Sequence, residues 1–216
     1  TARTDSRNLT ASLANSAGKW TPSVNVFQSR RGDRRSYTLN AAASRREFVI
    51  DETGVETGQN ADGQPNLLRT TTLGAEGVRD VASLAPNLSF KLANEGSLAF
   101  RGHLEVVRYE RTTHIDWDTL VGPELWHARY RQSFDFDLFM LRGDVDWVHN
   151  FEDSGRLETK LSLSGNHEDN AFREQGFSPD GMQNLDDETD GRLRIHGVNS
   201  TGKYSLPTMG EHRLEA

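Results

Sequence analysis

Polar and apolar residues alternate along almost the whole chain. Leu9, Ala11 and Leu13 are separated by Thr10 and Ser12; Leu98, Phe100, Gly102, Leu104 and Val106 are separated by Ala99, Arg101, His103 and Glu105. Leu157, Thr159, Leu161 and Leu163 repeat the rhythm against Glu158, Lys160 and Ser162. A period of two places one set on each face of a strand. The best helical stretch, Ala75–Leu84, is cut short by Pro86. The pattern predicts nine strands, near 6–15, 19–29, 34–51, 84–93, 97–114, 128–151, 156–168, 191–206 and 210–216. Residues 67–83 stay open: Thr70–Thr72 extend the fourth strand, while Gly74 and Gly77 weaken it. Within 128–151 the apolar positions shift from Phe134, Phe136, Leu138 and Met140 to Val145, Trp147 and Phe151. That slip predicts a bulge near Arg142 and Gly143.

The connections sharpen the picture. Tight turns are expected at Arg31–Asp33, Asn94–Gly96, Glu152–Gly155 and Pro207–Gly210, and long polar connections at Glu52–Asn66, Asp116–Trp126 and Asp169–Asp190. Short and long connections alternate as they do in a transmembrane barrel, whose turns are short on one side and longer on the other. The expected fold is all-β: an antiparallel meander of hairpins forming part of a transmembrane β-barrel. One face would then meet lipid and the other a polar lumen. Trp20, Tyr37, Tyr109, Tyr130, Trp147 and Tyr204 fall within strands, either as interface girdle residues or as ordinary strand aromatics.

Composition supports a thin core. Leu, Ile, Val and Phe number 47 of 216 residues, just above the compositional boundary of disorder at about 20%. The absence of cysteine excludes disulfides, thiol catalysis and cysteine-based zinc sites. A net charge of −7 argues against nucleic-acid binding.

Chemistry-bearing motifs are sparse. Asp116 and Asp118, with His114 near, are a calcium candidate or a solvated turn. The acidic run Asp186–Glu188 with Asp190 lacks the spacing of an EF-hand and reads as a hydrated loop. The seven histidines are dispersed, and neither a Gly-x-Ser-x-Gly elbow nor a nucleotide-binding glycine loop is present. No enzymatic activity, metal or cofactor is expected. Trp117, Trp126, His127, Phe172 and Phe177, aromatic or imidazole side chains on the long connections, are candidates either for ligand contact or for packing loop against loop.

The segment from Trp147 to Gly165 resembles a hairpin of TonB-dependent outer-membrane receptors. It has an aromatic-ended strand, a short turn and a return strand of alternating leucine and serine. The segments Pro86–Phe100 and Gly202–Ala216 resemble further hairpins of the kind. The resemblance implies a place in the bacterial outer membrane, surrounded by its lipid. It also implies uptake of a scarce small-molecule nutrient such as a ferric siderophore, cobalamin or glycan. Residues 1–216 would be a single barrel segment without plug domain or signal peptide. Its partners would be the remainder of the barrel, the plug domain and, through the N-terminal region, the TonB energy-coupling complex. The alternative is a soluble all-β binding or adhesion module of carbohydrate-binding type.

Overall fold

The computed structural model describes residues 4–16, 18–151, 155–207 and 213–215. Eight long strands and a short ninth make up one sheet: β1 (Thr4–Ser16), β2 (Lys19–Arg31), β3 (Arg35–Gln59), β4 (Pro65–Lys91), β5 (Ser97–Val121), β6 (Arg129–Asn150), β7 (Arg156–Phe177), β8 (Gln183–Pro207) and β9 (Arg213–Glu215). Every strand pairs antiparallel with the next, in chain order. Among the described residues nothing pairs β1 with β8 or β9, so the meander is open rather than closed into a barrel.

The expected long connections are largely strand. The turns between β3 and β4, β5 and β6, and β7 and β8 occupy only 60–64, 122–128 and 178–182. Polar segments extend the ladder because their side chains also pair across it, as in Thr53 opposite Thr72 and Val55 opposite Thr70. Residues 67–83 belong to β4, including the stretch with helical rhythm. The turns at 32–34 and 92–96, with Phe151 and Gly155 between β6 and β7, lie at one end of the sheet, the near end, and the other three at the far end. Asn94 and Glu95 take left-handed φ values of 52° and 57° at a near-end turn. At the far end the Asn60 carboxamide oxygen accepts from the Asp62 and Gln64 amides. The turn expected at 207–210 lies mostly outside the described residues, as do 152–154.

No bulge interrupts β6. Arg142 and Gly143 stay in register with both neighbouring strands. The apolar residues change faces instead, across the run Leu138-Phe139-Met140-Leu141. The five buried residues with side chains among those described, Arg69, Ala75, Val107, Thr113 and Ser205, all point to one face. Crowding on one side and exposure on the other is what a sheet curled toward the first side produces. We call these the inner and outer faces.

The outer face carries an apolar band across eight strands. Leu9, Ala11 and Leu13 pair with Val26, Val24 and Pro22. Val26 and Val24 pair with Ala41 and Ala43, and these with Leu84 and Ala82. Leu104 and Val106 continue those rows, followed by Leu141 and Phe139. Val145 then meets Leu161, and Leu163 meets Val198. Most of its large side chains are exposed, from Leu9 to Leu141 and Val198. On the far side the band ends sharply: one step beyond the row Ala43–Ala82–Val106–Phe139 lies Arg45–Asp80–Arg108–Asp137–Asp169–Arg192, charged throughout.

The inner face behind the band is polar. Ser12 and Ser23 share a hydrogen bond of 2.7 Å, Asn25 donates to Asn40 at 3.2 Å, and Ser162 donates to Asp144 at 2.6 Å. Arg101 pairs with Asp146. The six Leu98, Phe100, Leu104, Leu157, Leu161 and Leu163 thus share the outer face, with Arg101, Glu105, Glu158 and Lys160 opposite.

Candidate functional site

Beyond the band, toward the far end, the inner face turns aromatic. Phe48 on β3 and Tyr109 on β5 stack across β4 with centroids 6.0 Å apart. Their contact is possible because Gly77 stands between them. A Cβ there would sit 2.6 Å from Phe48 Cζ, so only glycine lets the ring lie over the strand. Phe134 meets Tyr109 at 5.9 Å and Phe136 at 6.3 Å. Phe172 stands opposite Phe134 in the ladder.

A second tier sits at the turn between β5 and β6. Tyr130 is the hub, with Trp117 edge-on at 5.9 Å and His127 edge-on at 5.2 Å. His127 lies over Gly176, where a Cβ would come within 2.6 Å of its Nδ1. Its Nδ1 is 2.7 Å from the Asn184 Oδ1, and the Asn184 Nδ2 donates to the Trp126 carbonyl at 2.9 Å. Burial, with the charge and hydrogen bond of Glu174, raises the Tyr130 hydroxyl above its ordinary pKa.

Arg69 holds this turn from below. It is buried, pairs with Glu56 at 3.0 Å, and donates to Thr119 Oγ1 and the Pro123 carbonyl, each at 3.1 Å. The Trp117 amide donates to the Ala128 carbonyl and the Ala128 amide to the Phe177 carbonyl, both at 2.8 Å. The turn therefore folds back against β7.

The five expected contact residues do not form one cluster. Trp117 and His127 meet around Tyr130, whereas Phe172 belongs to the lower tier. Trp126 is 76% exposed beside the upper tier. Phe177 points to the outer face, with the Arg131 guanidinium 5.7 Å from its ring centre. Only Trp126 and His127 are turn residues; Trp117, Phe172 and Phe177 lie in strands. Of the six girdle candidates, Trp20, Tyr37, Trp147 and Tyr204 occupy the outer face, but Tyr109 and Tyr130 face inward. Sequence reading missed Phe48, Tyr109, Phe134 and Phe136 as a group. Their signal was the parity change in β6, a change of face rather than of register.

His114, Asp116 and Asp118, the calcium candidate, stand at alternate positions on the outer face of β5, and Asp116 pairs with Arg129 at 3.1 Å. Among the described residues no three His, Asp or Glu side chains converge as a metal site. Asp186 is held by Arg173 through two hydrogen bonds of 3.0 Å.

No protein-family model matches the chain, and no curated protein matches it.

Proposed function

We propose that the chain forms part of the wall of a β-barrel in the bacterial outer membrane, in a receptor of the TonB-dependent type that takes up a scarce small-molecule nutrient. In this reading the outer face meets lipid, the inner face lines a lumen, and the aromatic tiers contact ligand. No reaction is catalysed. The remainder of the barrel, a plug and the energy-coupling complex would complete the transporter.

The observation that carries the reading is the shape of the apolar band. On β5 it runs from Leu98 to Val106, the length of a strand crossing a bilayer, about 9–11 residues. The band is also oblique. The row of partners through Leu9 runs by Val26, Ala41, Leu84, Leu104, Leu141 and Gly165 to His196. On β1, Leu9 is the near edge of the band, with Arg7 and Asp5 beyond it. On β8 the band, Val198 to Leu206, lies wholly on the near side of His196. It thus slides by about one residue per strand. At ~3.3 Å along a strand and ~4.8 Å between strands, that is a slope of ~35°. Barrel strands tilt by about 35–45° in the membrane, so the band lies level when the strands are so tilted.

The test is quenching by lipids with brominated acyl chains. Trp20 and Trp147 should be quenched in the reconstituted protein. Unquenched tryptophans, with a monodisperse protein in buffer, would favour the soluble binding module instead.

A further inference from the structure

We propose that Arg46, Arg79 and Arg111, set on the inner face beside Phe48, Tyr109 and Phe134, form a docking site for a small polyanion bearing a planar aromatic ring. The proposal rests on the inner face lining an aqueous lumen, as in the reading above, and narrows the nutrient to a chemical class.

The three cations occupy adjacent strands. Arg46 stands directly opposite Arg79, and Arg79 directly opposite Tyr109. Arg111 follows Tyr109 by two positions, on the same face, opposite Phe134. Directly opposed like charges destabilise a sheet, and Cβ atoms at such positions are only about 4.5–5.5 Å apart. Yet among the described residues none of the three arginines has an ion-pair or hydrogen-bond partner. All three are exposed. Their outer-face neighbours behave differently: Arg45 pairs with Glu47 and Asp80, and Arg108 with Glu110.

Carboxylates on the inner face stand apart. Glu52 is six positions along β3 from Arg46, and Glu105 four positions along β5 from Tyr109. Glu168 lies three strands from Arg79. Glu174 lies two strands from Arg111 and two positions further along, and accepts a hydrogen bond from Gln132 at 3.0 Å. At ~3.3 Å per residue and ~4.8 Å per strand these separations are ~12–20 Å. That exceeds the screening length of about 8 Å at physiological salt. The patch therefore holds three positive charges without local compensation, and an anion would relieve the Arg46–Arg79 repulsion.

The rings supply the second half of the recognition. Phe48 and Tyr109 form a shelf across Gly77, and Phe134 tilts against it. A planar ring can lie on that shelf while its anionic groups reach the guanidinium forks. A neutral sugar would leave the charges unmet.

Calorimetry on the 216-residue chain in detergent tests this, with 1,2,4-benzenetricarboxylate, citrate and benzamide as probes. The aromatic trianion should bind saturably, and citrate and benzamide at least about tenfold more weakly. Arg79→Gln and Arg111→Gln should each weaken the tricarboxylate at least about tenfold, while Arg45→Gln leaves it unchanged, circular dichroism confirming equal strand content. Absent saturable binding, equal binding of citrate, or an Arg45→Gln loss equal to that of Arg79→Gln would overturn the proposal. Lipid quenching of Trp20 and Trp147 without tricarboxylate binding would remove the site and leave the membrane reading. Arginine-dependent binding without quenching would do the reverse.

Discussion

Single residues in this sheet act mostly by choosing a face. Arg173 and Asp186 both point outward and are joined by two hydrogen bonds. The Arg173 hydrogen bond is the main cause of the lowered Asp186 pKa. A carboxylate whose folded pKa is depressed contributes stability above its unfolded value, about 3.9, and loses it as pH falls through the folded value. In Arg173→Gln the Asp186 carboxyl should therefore titrate higher, nearer the ordinary aspartate range, as read by carboxyl-carbon NMR; an unchanged midpoint would break the assignment. Arg69 has a different part, since its three hydrogen bonds tie the β5–β6 turn to the β3–β4 hairpin. Arg69→Met should loosen that turn by about 1–3 kcal/mol. Limited proteolysis within 122–128 should accelerate while cleavage at 32–34 does not.

At the scale of the strand, alternation was legible and its meaning was not. The nine strands and their antiparallel order follow from period two and the turn residues. The strand ends do not, because Gly74 and Gly77 weaken the strand pattern beside Thr70–Thr72, and Asp186–Glu188 look like loop, while their backbones complete a ladder. Nor does the aromatic tier: Phe48, Tyr109 and Phe134 lie far apart in sequence and meet only through register. In β6 two apolar faces follow one another, Phe134–Met140 inward and Phe139–Trp147 outward. A single sequence cannot distinguish that change of face from a one-residue bulge. Strand β7 allows a clean test, because Leu161 lies in the outer band and Ser162 on the polar inner face. Arginine at a lipid-facing midplane position costs about 2–4 kcal/mol and at a lumen-facing position far less. Leu161→Arg should impair folding into lipid vesicles by that amount, and Ser162→Arg should be tolerated. Equal effects would mean that the band does not face lipid.

The whole sheet is a single layer, and this decides what it needs. Ala75 and Val107 are its only buried apolar residues among those described. A domain in water requires two packed layers around a core, and here the outer face has none. Its edges are equally incomplete. Among the described residues no strand is paired beyond β1, and β8 meets β9 only through Ser205–Pro207. Within the band the outer edges of Leu9–Leu13 and Val198–Tyr204 therefore present unpaired amides and carbonyls. In hydrocarbon each such group costs several kcal/mol, which no side chain of the band can return. Further strands must border both edges wherever the sheet crosses a bilayer, whether from the rest of a barrel or from a second copy. A monomer of these 216 residues should accordingly give no discrete conductance in planar bilayers. A stable, reproducible unit conductance from a cross-linking-verified monomer would show that β1 and the far strands close on each other, and the open wall would then be a complete small barrel.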